Sequence, residues 1–384
     1  MKKVLILYEF FTPAFKGGGI IRSLTNIVRN FHKEYEFYVL TTNTDLGESG
    51  PTILEDIQSN QWLDFEGVAK VKYLSRDQLT YSTFDKEISH IQPDTVYING
   101  MFDLAFLIQP LRVLKASKRK VKIVVAPRGM LQKGALALKP LKKKVYLFLF
   151  KALGFHRGLY WHATDEQEVW DIKKMMGKGV SVSLASVLPD LREKSPKGLS
   201  KVARKLDLVT ISVIAEKKNV GRVLSELEKF IHSDVQITYH IYGPVKDKEY
   251  WEGCQHKMKR FEGTNITVAY QGNVSPEQVA NTYQQYHFMI LPTFGENFGH
   301  AIFEALNAGR PVIISDKTPW RQLTRHRAGW DLAIDHNGAL HEVLNSSLEM
   351  PQEQYDLWCE GAREMARKFV EDSRFSDEYK ALFG

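Results

Sequence analysis

Short apolar runs of strand character alternate along this chain with amphipathic segments of helical period, and the alternation runs twice. In the first pass Val4–Tyr8, Glu36–Thr41, Val68–Leu74, Thr95–Ile98, Val121–Ala126, Leu159–Ala163 and Val180–Ala185 read as strands. Ile21–Phe31, Phe102–Lys115, Lys139–Leu153 and Glu166–Met176 read as helices between them. A stretch rich in Lys, Ser, Pro and Gly around Lys194–Lys205 then breaks the pattern and has the composition of an exposed linker. The second pass gives strands at Leu208–Ile214, Gln236–Tyr242, Ile266–Tyr270, Phe288–Leu291, Pro311–Ser315 and Asp331–Ile334. Its helices fall near Val220–Ile231, Lys248–Phe261, Pro276–Gln285 and Gly299–Ala308. Such alternation implies right-handed crossovers and a parallel sheet covered on both faces. The expected fold is therefore α/β, two doubly wound domains over 1–193 and 206–350, joined by a linker at 194–205. A helical segment over 351–384 follows, and no local pattern indicates what it packs against. Open parallel sheets place ligands beyond the carboxyl ends of their strands, so two such sheets facing across a cleft would hold one ligand on each wall.

At 384 residues the chain exceeds the size at which one core tends to split, which agrees with two domains. No leader-like segment opens it, because Met1-Lys2-Lys3 runs straight into the first strand. No apolar run approaches the roughly 20 residues of a membrane span. Cys254 and Cys359 are too few for a disulfide framework or a zinc site, which points to a reducing, cytoplasmic setting. The net charge of +7 is unevenly spread: the 61 residues between Asp103 and Asp165 carry no acid and fourteen Lys and Arg. With those fourteen set aside, the remainder nets −7.

The most informative stretch is Phe294-Gly295-Glu296-Asn297-Phe298-Gly299-His300, continuing through Glu304 to Gly309-Arg310-Pro311. It follows a strand, opens with a glycine-flanked loop, enters a helix and stops at Gly309 before the next strand. A helix N-terminus there offers N–H groups and partial positive charge to an anion. Glu296 lies in the loop and Glu304 about six residues into the expected helix, roughly 9 Å further on. That separation suits a ligand made of two polyols joined by a diphosphate, with one carboxylate for each.

Gly295 to His300, with seven residues between Glu296 and Glu304, closely resembles the signature of family-four (group 1) retaining glycosyltransferases of the GT-B fold. The resemblance implies two Rossmann-like domains, an acceptor domain first and a nucleotide-sugar donor domain second. It implies that Glu296 contacts the donor sugar and Glu304 the nucleotide ribose, with the backbone amides of Asn297, Phe298 and Gly299 facing sugar and phosphate. Lys217-Lys218-Asn219 resembles the family's basic turn, in which Lys218 would neutralise the leaving diphosphate. The family usually has an Arg five residues earlier, where this chain has Val213, so Lys217 or another basic group would complete the phosphate clamp. Gly17-Gly18-Gly19, after the first strand, resembles the glycine-rich loop that borders the reacting sugar and acceptor. It is not a dinucleotide fingerprint, since the glycines are adjacent. Arg128, in Pro127-Arg128-Gly129, stands where many relatives have a histidine near the sugar, and that histidine's role does not transfer to it. His162 resembles a strand-end residue and reads as structural.

No Asp-x-Asp motif occurs, so metal is not expected to hold the diphosphate. The resemblance implies a UDP- or GDP-sugar donor, no cofactor, a glycan or lipid-linked acceptor, retention at the anomeric carbon, and a place in cell-surface polysaccharide or glycolipid synthesis. Two other classes compete. A sugar-nucleotide epimerase on the same fold would need catalytic acids and bases at the sugar. A nucleic-acid binder is argued against by Tyr146, Phe148 and Phe150, which are spaced as helix core rather than as a stacking platform. The acid-free segment 104–164, with its dense run Lys139–Lys151, instead suits docking on an anionic membrane surface at the inner face of the plasma membrane.

Overall fold

The computed structural model describes every residue except 48–49, 118–119, 138, 192–197, 335 and 337. It divides into two compact units, Met1–Pro189 with Arg374–Gly384, and Asp190–Ser373.

Unit 1 contains β1 (Lys2–Leu7), β2 (Tyr35–Thr42), β3 (Thr44–Gly47), β4 (Gly50–Ile53), β5 (Trp62–Phe65), β6 (Ala69–Leu74), β7 (Thr95–Asn99), β8 (Lys122–Ala126), β9 (Tyr160–Ala163) and β10 (Ser181–Leu184). Its main sheet has the order β10-β9-β8-β7-β1-β2-β6-β5, parallel except for the β5–β6 edge pair; β3 and β4 form a separate antiparallel hairpin. Strands run apolar end to end because both faces are covered. Leu5, Leu7, Val96, Ile98 and Val125 pack with Phe84, Ile88, Phe106 and Leu111 from the helices.

Unit 2 contains β11 (Lys205–Ile211), β12 (Gln236–Tyr242), β13 (Ile266–Tyr270), β14 (Phe288–Leu291), β15 (Val312–Ser315) and β16 (Gly329–Leu332). All pair in parallel in the order β13-β12-β11-β14-β15-β16. Both units are thus doubly wound, Rossmann-like sheets. Strand order reverses between β1 and β7 in unit 1 and between β11 and β14 in unit 2. A crevice forms at such a switch point because the connections on either side leave toward opposite faces.

The expected elements recur with boundary shifts of a few residues. The helix expected over Phe102–Lys115 opens instead with a wide turn at Leu104–Ile108, capped by Asp103, and continues as Gln109–Ala116. Part of the expected linker, 194–197, lies outside the described residues. The rest is largely exposed but pinned at Lys201, whose N–H donates to Gln352 Oε1 at 2.6 Å and whose buried ammonium donates to Leu348 O at 3.2 Å. Lys205 already belongs to β11. The C-terminal segment divides: the long helix Gln352–Asp372 packs in unit 2, and Phe375–Phe383 packs in unit 1.

Candidate active site

In unit 2 the two loops that leave the carboxyl ends of β11 and β14 meet at the switch point. After β11 the chain makes a short 3-10 turn, Glu216–Lys218, and Asn219 takes a left-handed conformation that starts the helix Val220–Leu227. After β14 the loop 292–299 leads to Gly299, left-handed at φ 79°, and the helix His300–Asn307. The loops are stitched by backbone and side chain: Phe294 N–H donates to Lys217 O at 2.9 Å, Thr293 Oγ1 to the same oxygen at 3.0 Å, and Asn219 Nδ2 to Pro292 O at 3.0 Å. Glu296 N–H donates to Lys317 O at 3.2 Å, and Ser315 Oγ to Thr293 O at 2.5 Å, tying the loop to the end of β15.

These ties bring together Lys218 and Glu296, which form an ion pair 78 residues apart in sequence. The pair sits four-fifths or more out of solvent, with side chains 20% and 13% exposed. Among the described residues the Lys218 ammonium makes no other hydrogen bond, so two of its three N–H groups remain to donate. Glu296 Oε2 likewise remains free to accept. Lys217 passes across Gly295, its Cε 3.8 Å from where a Cβ would stand. Val213 is half-buried on the turn after β11 and supplies no charge.

Asn297 is exposed, whereas Phe298 is turned inward against His300, Phe303, Trp320 and Phe369, with centroid distances of 5.0 to 6.1 Å. Its carbonyl accepts from Trp320 Nε1 at 2.6 Å. The Phe298 side chain is therefore an anchor that fixes where the loop's amides point. Glu304 is the fifth residue of its helix, one short of the position expected from sequence, and is half-buried. Arg310, at the end of the motif, is buried and donates to Gln284 O at 2.9 Å, closing the turn into β15. Among the described residues no three His, Cys, Asp or Glu side chains cluster so as to hold a metal ion.

In unit 1, Gly17, Gly18 and Gly19 lie on the loop after β1 and lead into the helix Gly19–Phe31. A residue that sequence reasoning passed over holds this loop: the buried Asp45 carboxylate accepts from the N–H groups of Phe15 at 3.0 Å and Lys16 at 3.2 Å. Its signal was a polar run, Thr41-Thr42-Asn43-Thr44-Asp45, at the carboxyl end of an otherwise apolar strand. Gly18 adopts φ 94° with open space around its missing side chain, so its backbone is accessible.

Arg128 follows β8 in a left-handed conformation, φ 55°. Its Nε donates to Asn99 Oδ1 at 2.9 Å and its Nη2 to the Tyr97 hydroxyl at 2.7 Å. Tyr97 and His162 Nδ1 are 2.7 Å apart, and His162 Nε2 is 2.8 Å from Ala185 O. His162 is fully buried; burial first and Arg128 second push its pKa down to about 3, so it is neutral, as a structural role requires. Glu9 and Asp103 stand at the same end of the sheet. Burial raises both carboxyl pKa values, and the nearby Asp103 carboxylate raises that of Glu9 further.

Comparison with known proteins agrees with this layout. Residues 192–365 match the model of the family described as glycosyl transferases group 1. The chain has no match among curated protein sequences. Among solved structures it is similar to sucrose-phosphate synthase from Thermosynechococcus elongatus, with TM-score 0.70, 13% identity, and coverage of 100% of this chain and 99% of that one. It is similar to HepE from Anabaena in complex with UDP and glucose, with TM-score 0.67, 14% identity, and coverage of 100% and 98%. It is also similar to WaaG, a glycosyltransferase involved in lipopolysaccharide biosynthesis, with TM-score 0.66, 15% identity, and coverage of 99% and 98%. The second unit thus matches the group 1 glycosyltransferase family over 192–365, and the two Rossmann-like units share the GT-B fold of the glycosyltransferases that the chain resembles.

Proposed function

We propose that the protein moves a hexosyl or related group from UDP or GDP to a hydroxyl of a glycan or lipid-linked acceptor. In this reading the anomeric carbon keeps its configuration and no divalent metal takes part in the chemical step. The observation that carries it is the Lys218–Glu296 pair, held at the switch point of unit 2 with donors and an acceptor to spare. As the bond from C1 to the diphosphate breaks, negative charge grows on the leaving oxygen. Lys218, assisted by Lys217 where relatives have an arginine, stabilises that charge more in the transition state than in the bound donor. Glu296 Oε2 accepts from a sugar hydroxyl, Glu304 from the ribose, and the backbone amides of Asn297, Phe298 and Gly299 border the sugar and phosphate. The leaving phosphate takes the acceptor's proton on the same face. The glycine-rich loop of unit 1 and Arg128 border the acceptor. The UDP and glucose carried by HepE support a uridine donor, and the role of WaaG supports surface-glycan synthesis.

A thermal-shift screen of UDP, GDP and their sugars in excess chelator tests this. A ligand at 100 times its dissociation constant adds about 2.7 kcal/mol to folded-state stability. The expected result is stabilisation by one nucleotide series, and full turnover, with chelator present. Stabilisation that needs magnesium or manganese, or by no nucleotide, overturns the reading.

A specific observation also supports a membrane-borne acceptor. The helix Pro140–Ala152 packs Tyr146, Leu147 and Phe150 inward, yet its other side exposes Leu141, Val145, Phe148 and Leu149, the first and third at 77% and 70%. Val145 is four residues from Leu141, three from Phe148 and four from Leu149, which groups these four on one side of the helix. Lys139, Lys142, Lys144 and Lys151 are exposed around it, whereas Lys118 and Arg119 of the same acid-free segment lie outside the described residues. No helix among the described residues is long and apolar enough to cross a membrane. An apolar stripe flanked only by cations matches an anionic lipid surface, each lysine contributing on the order of 1 kcal/mol. The expected result is sedimentation with anionic but not neutral vesicles, lost in high salt and in the variant with Lys142, Lys144 and Lys151 changed to Glu. Equal indifference to both vesicle types excludes this docking.

A further inference from the structure

Four polar side chains at the carboxyl end of the unit 1 sheet form one directed chain. The Ala185 carbonyl can only accept, so His162 Nε2 carries the proton, and in a neutral ring Nδ1 must then accept. The Tyr97 hydroxyl therefore donates to His162 and accepts from Arg128 Nη2. Tyr97 and His162 are fully buried and Asn99 is 1% exposed. Burying polar groups is costly unless they are paired, and here the pairing ends at one half-exposed guanidinium. The turn that carries Arg128 is fixed independently: buried Glu168 accepts from Gly129 N–H at 2.6 Å and from Thr164 N–H and hydroxyl at 2.8 Å.

The result is a cation with its orientation set and its charge unanswered. Among the described residues Arg128 makes no ion pair, and its two hydrogen bonds go to neutral oxygens, leaving Nη1 and one Nη2 proton to donate. Beside it, Asn99 Nδ2 is buried with no acceptor. Two unmet donors, one charged and one neutral, call for a ligand group that only accepts. Among the described residues Glu9 and Asp103 form no ion pair with Arg128, and their carboxyl oxygens can accept from hydroxyls, which suits a polyol beside the anion.

We infer that Arg128 with Asn99 is an oxyanion receptor: it binds a carboxylate or phosphate on the sugar-side substrate, so that the protein selects an acidic or phosphorylated glycan over its neutral counterpart. This rests on the reading of unit 1 as the acceptor wall. Ligand-observed NMR on the full chain with UDP present, using glucuronate, glucose 6-phosphate and glucose as probes, separates the two anion sources. At least one anionic probe is expected to bind roughly tenfold more tightly than glucose, the worth of a charge-assisted contact. The preference should vanish in Arg128→Gln, survive in part in Arg128→Lys, and weaken in Tyr97→Phe, while UDP affinity stays at its wild-type value; the melting temperature should fall in Tyr97→Phe, which leaves buried His162 Nδ1 without a donor. Equal binding of all three probes, or a preference that persists in Arg128→Gln, overturns the inference. Failure of UDP itself to bind would instead count against the transferase reading, leaving the probe comparison to judge this one.

Discussion

Replacing Glu296 by alanine is expected to cut turnover of the donor by about 100- to 1,000-fold, the range seen when one group that stabilises developing charge is removed. The structure changes what that experiment reads. Glu296 and Lys218 are one ion pair in a mostly desolvated place, so removing the carboxylate also frees the ammonium from the position in which its remaining N–H groups are held. Lys218→Ala should therefore cost a similar factor, and the double variant little more than either single one, because groups that act as a unit are not additive. On the proposed assignment, with Glu296 at the sugar and Glu304 at the ribose, nucleotide affinity should hold nearly steady in Glu296→Ala and fall in Glu304→Ala. Steady-state kinetics of all four variants decide it. Near-wild-type turnover in both single variants refutes the assignment, and losses that multiply show that the pair does not work as a unit.

That coupling was invisible in the sequence, and the reason is physical. Val4–Leu7 and Phe288–Leu291 announce themselves as strands because a strand covered on both faces is apolar throughout, a local property. The Gly295–Gly299 loop between β14 and a helix was legible on the same grounds, as was the turn at Lys217-Lys218. Which residue of one loop touches which of the other depends on β11 and β14 being neighbours, a long-range fact. The β3–β4 hairpin and the β5 edge escaped notice because each strand is only four residues long, too short to show an alternation, and β4 is wholly exposed. The helices Tyr81–Ile91 and Ala339–Glu349 were missed between better-marked elements. Val213 could be read as a departure from the family, but not that the Lys217 side chain lies over Gly295.

The second large effect concerns Gly243, to which no motif drew attention. It directly follows β12, adopts φ 128°, and a Cβ there would stand 1.9 Å from the carbonyl oxygen of Ser212. Ser212 opens the turn toward Lys217 and Lys218, and its own N–H donates to Tyr242 O at 3.0 Å. Neither backbone can yield without losing that bond or the 2.8 Å bond from Gly243 N–H to Gly272 O. Gly243→Ala should thus combine overpacking with a disfavoured backbone, costing about 3 kcal/mol. That corresponds to a fall in melting temperature of roughly 6–12 °C for a unit of this size. Gly253→Ala is the matched control: it lies within the helix Lys248–Met258 with nothing within 4 Å of the added carbon, and should gain about 0.5–1 kcal/mol. Thermal melts of both variants check the pair of signs. A Gly243→Ala protein that melts with the wild type would show that the two backbones do not approach so closely.

The helix Phe375–Phe383 gives the chain an order of assembly. Phe383 packs its ring on Tyr35, Phe37 and Tyr97, Tyr379 packs on Phe31 and His162, and Ser186 N–H donates to Glu378 at 2.8 Å. All of those partners are synthesised before unit 2, and the helix only after it. A nascent chain can thus close unit 2 while unit 1 still waits for its last piece, with Tyr97 and His162 uncovered on one side. A ribosome that stalls or terminates near residue 373 would release a protein with all of unit 2 made, while the Tyr97 and His162 that orient Arg128 lack their cover. The cover over Tyr97 and His162 is thus the last part of unit 1 to be made, and only a chain translated past residue 383 carries all of it.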